Sequence, residues 1–137
     1  MSEVENRAVV ERLIQCLNDR KTEVMDDLFH EDAVMDWPQS GERIVGGDAR
    51  RGVYGAFPVL PTITPRRMLA AGDLVVAEAT LDYDGPVFHS TFIFELRDGK
   101  IARETAYWAE PFDPPEWRSQ WVTLDGAQGR TTETPPS

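Results

Sequence analysis

The second half of the chain alternates apolar and polar residues over four successive segments, and this pattern restricts the fold more than any other feature. The segments cover residues 64–71, 74–83, 87–96 and 101–109. The pairs Gly72-Asp73, Asp84-Gly85 and Asp98-Gly99 separate them, and such pairs are what tight hairpin turns need. The sequence therefore predicts four antiparallel strands joined in a meander.

The first third of the chain has helical periodicity instead. Val10, Leu13, Ile14 and Leu17 recur at helical spacing between polar residues, which predicts an amphipathic helix over residues 3–17. A short second helix is expected to follow, with Thr22 as its N-cap. Two short strand-like runs come next, at residues 33–38 and 43–45.

A third helix is predicted between these runs and the meander. Asp48 is a plausible N-cap, and the helix extends to Phe57 because Pro58 ends it. Helices that precede a long sheet in this way predict an α+β fold, with the helices packed on one face of the sheet.

Size and charge limit the classes of function. The 137 residues suit one domain. The 14 Lys and Arg residues against 24 Asp and Glu residues give a formal net charge of −10, which disfavours nucleic acid and anionic membranes as partners. No apolar run approaches the roughly 20 residues of a membrane span, and the acidic N-terminus is unlike a signal peptide, so a cytoplasmic location is expected.

The C-terminal segment differs from the strands before it. Prolines follow residue 110, and Trp117 and Trp121 are spaced to share one helical turn. Beyond residue 122 the composition is rich in Gly, Thr and Pro. We therefore predict a folded domain over residues 1–122 and a disordered tail over residues 123–137.

The order of elements resembles one known family. Two helices, the run Phe29-His-Glu-Asp-Ala-Val34, a glycine-containing helix and a meander ending in Arg97-Asp-Gly-Lys-Ile101 resemble the SnoaL-like group of the nuclear transport factor 2-like superfamily over residues 5–121. The resemblance implies a cone-shaped curved antiparallel sheet wrapped around the N-terminal helices, a cystatin-like α+β barrel with an apolar pocket. It also implies a homodimer that forms through the outer sheet face.

The catalytic residues of these relatives are mostly missing. Alignment with the ketosteroid isomerases places Trp37 where they have a catalytic carboxylate and Leu13 where they have an oxyanion tyrosine. Tyr54 does match a tyrosine of their pocket. The aspartate of the polyketide cyclases falls on Ala109, followed by Glu110, and the Arg-x-Asp pair of the epoxide hydrolases falls on a segment that reads Glu78-Ala-Thr80.

Two polar residues remain as candidate catalytic groups, Tyr54 and His89. An imidazole titrates near neutral pH, but alternation in its strand favours the outer face for His89, where a pair with Glu78 is the simpler interpretation. By resemblance, Ile101 and Tyr107 point inward. The expected ligand-binding residues are all aromatic: Trp37, Tyr54, Phe57, Phe92, Tyr107 and Trp117.

These features predict a protein that binds a small, largely apolar molecule in its pocket and that catalyses a proton transfer of the isomerase, cyclase or dehydratase type. The alternative is a module of the same fold that carries a ligand or a protein partner without catalysis. No cofactor is expected. No metal is expected either, because Cys16 is the single cysteine and His30 and Asp32 have no third ligand nearby.

Overall fold

Helix α1, Glu3–Asn18, begins with a capping box. The Ser2 hydroxyl accepts a hydrogen bond from the backbone N–H of Glu5 at 3.0 Å, and the Ser2 N–H donates to the Glu5 carboxylate at 2.9 Å. The predicted apolar face is buried, with Val10 fully inaccessible. The structure is a computed structural model and describes residues 2–124.

The remaining elements follow in the predicted order, and their bounds lie within a few residues of the predicted ones. After α1 come helix α2, Thr22–Met25, and a single 3-10 turn, Asp26–Leu28. The other elements are β1 Phe29–Trp37, β2 Glu42–Val45, α3 Gly47–Ala56, β3 Thr62–Ala71, β4 Leu74–Asp82, β5 Val87–Arg97 and β6 Lys100–Ala109.

The two predicted N-caps are wrong. Thr22 is the first helical residue of α2, and Lys21 precedes it as the N-cap. Gly46, with a φ of 86°, is the N-cap of α3. Asp48 lies inside the first turn of α3, where its carboxylate accepts a hydrogen bond from Arg51 at 2.9 Å. Glycine suits the α3 cap because its positive φ is costly for other residues.

The six strands form one sheet in the order β2-β1-β6-β5-β4-β3. The predicted meander from β3 to β6 is confirmed, and β1 adds to its far side by pairing in parallel with β6. The sheet is curved and does not close, so β2 and β3 both remain edge strands. The α+β class with helices on the concave face is therefore confirmed.

The inward face of β4 and β5 is the one that alternation predicts. Val75, Ala77, Ala79 and Leu81 are at most 3% exposed, and the inward residues of β5 pair with them across the strands. These residues and the apolar face of α1 form the core. Burial of such aliphatic and aromatic area stabilises the fold by about 25 cal/mol per Å².

The residues of strand β6 that face inward change from odd-numbered to even-numbered along the strand. Leu96 pairs with Ile101, but Glu95 pairs with Arg103, so Ala102 is an extra residue and forms a β-bulge. Ile101 points inward, as expected, whereas beyond the bulge the even-numbered residues do so. The predicted inward orientation of Tyr107 is therefore wrong, and its side chain is 41% exposed on the outer face.

The chain leaves the sheet after β6. Residues 110–115 have no regular structure, and a 3-10 helix covers Glu116–Trp121. Trp117 and Trp121 do share one helical segment, yet both are more than 70% exposed. The predicted tail over residues 123–137 lies outside the described residues except for its first two.

Candidate functional site

A cavity of about 120 Å³ lies between the concave face of the sheet and the helices. Helix α1 forms one wall, α3 and the loop after it form the rim, and β4 to β6 form the floor. Its lining is Leu13, Ile14, Leu17, Trp37, Tyr54, Phe57, Leu60, Pro61, Ile63, Leu81, Tyr83, Phe92, Phe94, Glu104, Ala106 and Trp108.

Seven of these sixteen lining residues are aromatic. Trp37, at the end of β1, meets Trp108 of β6 edge to face, with ring centroids 5.3 Å apart. Phe57 lies between the rings of Trp37 and Tyr54, at centroid distances of 6.5 and 5.5 Å. Tilted and edge-to-face contacts of this kind are the favourable arrangements for aromatic pairs, so the rings support one another as the walls of the pocket.

Glu104 is the one carboxylate among the described residues that line the cavity. Its side chain projects inward from β6, beyond the bulge, and is 5% exposed. Among the described residues, its Oε1 atom has no hydrogen-bond partner. Burial raises the pKa of Glu104 to about 7, although the charge of Arg50 lowers it. Near neutral pH, Glu104 is therefore present in both protonation states.

Tyr54 provides the second polar group of the cavity. It lies on α3, and burial raises its phenol pKa above the usual value, with the negative charge of Glu104 adding to the effect and Arg50 opposing it. The hydroxyl therefore stays protonated at physiological pH. A protonated phenol beside a titrating carboxylate can donate a hydrogen bond to a polar atom of a bound molecule.

Arg50 is the buried charge behind these two groups. It precedes Tyr54 by one helical turn on α3 and is 1% exposed. Its guanidinium donates to Asp26 Oδ1 from Nε at 3.0 Å and from a terminal nitrogen at 2.7 Å, and it lies 4.5 Å from the centre of the Phe29 ring. Asp26 compensates its charge, and Arg50 does not itself line the cavity.

The rim of the cavity is held by a residue of the α1–α2 turn. Arg20 donates hydrogen bonds to the carbonyls of Leu60 and Pro61, both at 3.0 Å. A third hydrogen bond, of 2.8 Å, goes to the carbonyl of Leu17 in α1. Arg20 therefore ties the loop between α3 and β3 to the wall opposite it.

The structure brings together four of the residues expected in the site. Trp37, Tyr54, Phe57 and Phe92 all line the cavity. The structure does not place the other three there. Trp117 is 73% exposed on the C-terminal segment, and His89 and Tyr107 lie outside the cavity.

His89 and Tyr107 lie on the outer face of the sheet, where they line a separate shallow cleft. His89 and Glu78 line this cleft together, as expected, but the hydrogen bond to the Glu78 carboxylate comes from Arg67, at 2.7 Å. Across the strands, His89 is paired with Thr80. The candidate general base therefore has no access to the pocket.

Sequence reasoning missed Glu104. Alternation alone leaves the two faces of β6 equivalent, and the inward choice made through Ile101 assigns Glu104 to the outer face. The signal that identifies it is the register shift between Glu95 and Leu96, which a sequence does not show. Glu104 shares its face of β6 with Ala106 and Trp108, and such apolar residues are typical of an inward strand face.

Comparison with known proteins agrees with this architecture. The family model described as a SnoaL-like domain matches residues 10–104, and the chain belongs to this family. None of the curated proteins searched matches the sequence. Within residues 2–124, no helix is long and apolar enough to cross a membrane.

Three solved structures illustrate the range of similar proteins. An NTF2-like protein of unknown function from Burkholderia xenovorans LB400 is 34% identical, with a TM-score of 0.79 over 90% of this chain and 98% of that one. A protein from Kribbella flavida DSM 17836, provisionally assigned as a ketosteroid isomerase, is 27% identical, with a TM-score of 0.84 over 92% and 93%. An LEH-like epoxide hydrolase from M. tuberculosis shares the fold, with 23% identity and a TM-score of 0.68 over 77% and 84%.

Proposed function

We propose that the protein binds a small, largely apolar molecule in this cavity and transfers a proton to or from it through Glu104. The observation that carries the proposal is the unpartnered oxygen of a buried carboxylate in an aromatic pocket. A buried polar atom without a partner costs free energy, and such a cost is characteristic of functional sites. A ligand atom that contacts Glu104 removes it.

The protonation behaviour of the site supports acid–base chemistry. A general acid or base works best when its pKa lies near the working pH, and burial brings the pKa of Glu104 to about 7. Tyr54 remains a hydrogen-bond donor over the same range. A carboxylate that removes a proton from carbon, with a phenol that stabilises the resulting oxyanion, is sufficient for an enolisation.

Cyclohexanone in D₂O tests both parts of this proposal. It is a small neutral ketone, and NMR follows its binding and the loss of its α-protons together. Ionised Glu104 would take an α-proton, Tyr54 would donate to the enolate oxygen, and the carboxyl would exchange its proton with solvent before returning a deuteron. We expect exchange about a hundredfold faster with the wild-type protein than with Glu104→Gln.

A matched variant on the outer face controls for general effects. His89→Gln changes an ionisable side chain outside the cavity and is expected to leave both binding and exchange unchanged. Equal exchange in the wild-type protein and in Glu104→Gln would contradict the catalytic part of the proposal. Saturable binding without exchange would instead favour the non-catalytic, ligand-carrying alternative.

We also propose that the protein forms a homodimer through the outer face of the sheet. Val76 and Ile93 are paired across β4 and β5 at the centre of this face, and Leu69 and Leu74 next to them are 71% and 40% exposed. A continuous apolar patch on an otherwise charged surface is typical of an interface. A two-fold axis would place the patch against its own copy.

A further inference from the structure

The lining of the cavity is unusual in its combination of rings and charge. Seven of its side chains are aromatic, and one is a carboxylate. Among the described residues, none of the lining side chains is a lysine, arginine or histidine. An incoming ligand therefore meets aromatic rings, aliphatic side chains and one carboxyl group, and none of the described lining side chains is cationic.

This combination has a specific chemical counterpart. The face of an aromatic ring attracts a cation, and the attraction is strongest where water is excluded. Aromatic cages with a nearby carboxylate are suited to alkylated ammonium groups, whose methyl groups also bury apolar surface. A purely hydrocarbon ligand would leave the Glu104 oxygen without a partner, at the cost of its desolvation.

The charges around the cavity agree with a cationic ligand. The nearest buried cation, Arg50, does not line the cavity, and the carboxylate of Asp26, which accepts two hydrogen bonds from it, offsets part of its charge. The chain carries a formal net charge of −10, so its long-range field draws cations toward the surface. The described lining side chains carry no positive charge, and the net negative charge of the chain attracts a positive group.

We infer that the ligand of this pocket carries a small alkylated ammonium group, held by the aromatic side chains Trp37, Tyr54, Phe57 and Trp108 and paired with Glu104. The inference rests on the proposed function, because it names the class of molecule that the same cavity takes. A cavity of roughly 150 Å³ holds a molecule the size of benzene, and this one measures about 120 Å³. A trimethylammonium group is of suitable size.

Choline and 3,3-dimethylbutan-1-ol are a matched pair of probes. They have nearly the same shape, but choline has a quaternary nitrogen where the alcohol has a carbon atom. Titration calorimetry at pH 8.5 is expected to show choline binding at least ten times more tightly than the alcohol. Glu104→Gln should reduce this preference at least threefold, because the ion pair is lost while the rings remain, and should leave the affinity for the alcohol within about twofold.

The pH dependence of binding provides a second test. The charge of choline does not change with pH, so its affinity should rise as Glu104 loses its proton, between about pH 6 and pH 8. The other titratable groups of the cavity are Tyr54 from α3 and Tyr83 just after β4, and Arg50 acts on Glu104 from behind the wall. Helix α1 contributes only apolar residues. In Glu104→Gln, the affinity for choline should be flat over this range.

A second variant addresses the rings without touching the buried carboxylate. Phe57→Leu removes one aromatic face at the rim and keeps an apolar side chain of similar size. This variant is expected to lower the affinity for choline about fivefold or more and to leave the affinity for the alcohol nearly unchanged. An equal loss for both probes would show that Phe57 contributes only contact area, which contradicts a cation-binding cage.

The binding results for the two probes and cyclohexanone distinguish the ammonium ligand class from the proposed function of the pocket. If the alcohol binds as tightly as choline at every pH, the ligand class is wrong, and the apolar pocket of the proposed function remains. If neither probe nor cyclohexanone binds, both are overturned. A preference for choline that is unchanged in Glu104→Gln would also overturn the inference, because Glu104 would then not pair with the ligand.

Discussion

A single carboxylate oxygen of Asp26 accepts two hydrogen bonds from the buried guanidinium of Arg50, at 3.0 and 2.7 Å. The Arg50 side chain is 1% exposed, whereas the Asp26 side chain is 24% exposed. The pair fixes the first turns of α3 against the segment that connects α2 with β1. It also keeps a positive charge close to Glu104 without exposing that charge to the cavity.

Removal of Asp26 alone should therefore lower the free energy of unfolding more than removal of both Asp26 and Arg50. Asp26→Ala leaves a buried, uncompensated guanidinium, and we expect the free energy of unfolding to fall by about 3 kcal/mol. The double variant Asp26→Ala/Arg50→Met should recover part of that loss, because no buried charge remains. Urea unfolding measures both. Equal stabilities of the single and double variants would show that Arg50 does not depend on Asp26.

Glu104 should make the stability of the protein depend on pH. Its pKa is raised from 4.5 to about 7 in the folded state, so between these values the folded protein holds a proton that the unfolded chain has released. The free energy of unfolding should then fall as pH rises through this window, by about 3 kcal/mol at 1.36 kcal/mol per pKa unit.

The measurement is the difference in unfolding free energy between Glu104→Gln and the wild-type protein at pH 4.5 and pH 8. Other groups titrate in both proteins and cancel in this difference. Asp26 and Glu5, for example, have lowered pKa values and destabilise the fold only as pH falls. The free energy of unfolding of Glu104→Gln should increase relative to that of the wild-type protein as pH rises. A difference independent of pH would mean that Glu104 is not buried.

Much of this architecture could be predicted because the signals that define it are local. Gly72-Asp73 and Asp98-Gly99 fix two of the hairpins, and the alternation of β4 and β5 is uninterrupted, so their inward residues were predicted correctly. The parallel pairing of β1 with β6 joins residues more than 60 positions apart, and no local signal specifies it.

The centre of the site could not be predicted for the same reason. One extra residue, Ala102, exchanges the faces of β6, so that Glu104 enters the cavity and Tyr107 leaves it. A bulge depends on the match between two strands rather than on the sequence of one of them. Tyr54, Phe57 and Phe92 lie on elements without such a shift before them, and their inward position was accessible from the sequence. Trp37 follows a register shift between Phe29 and Val34, and its place in the pocket was expected from the family resemblance.

The hydrogen bonds that Arg20 donates to Leu60 and Pro61 should limit the mobility of the cavity rim. Arg20 has a φ of 60°, so Arg20→Gly keeps the backbone conformation while it removes all the hydrogen bonds to Leu60, Pro61 and Leu17. We expect amide hydrogen exchange at Phe57, Val59 and Leu60 to rise at least tenfold, since Pro58 and Pro61 have no amide hydrogen, and bound cyclohexanone to dissociate faster. Arg20→Ala should show the same exchange and a further loss of stability, because alanine is strained at this φ.

Ile93 provides the sharpest test of the dimer. Its side chain lies on the outer face between Val76 and Thr105, so Ile93→Lys leaves the cavity and the core unchanged but places a charge at the centre of the apolar patch. Light scattering should report a dimer for the wild-type protein and a monomer for this variant. Val24→Lys, on α2 away from the sheet, alters an exposed apolar residue outside the patch and should stay dimeric. A wild-type monomer would contradict the dimer, and an Ile93→Lys dimer would show that another surface forms it.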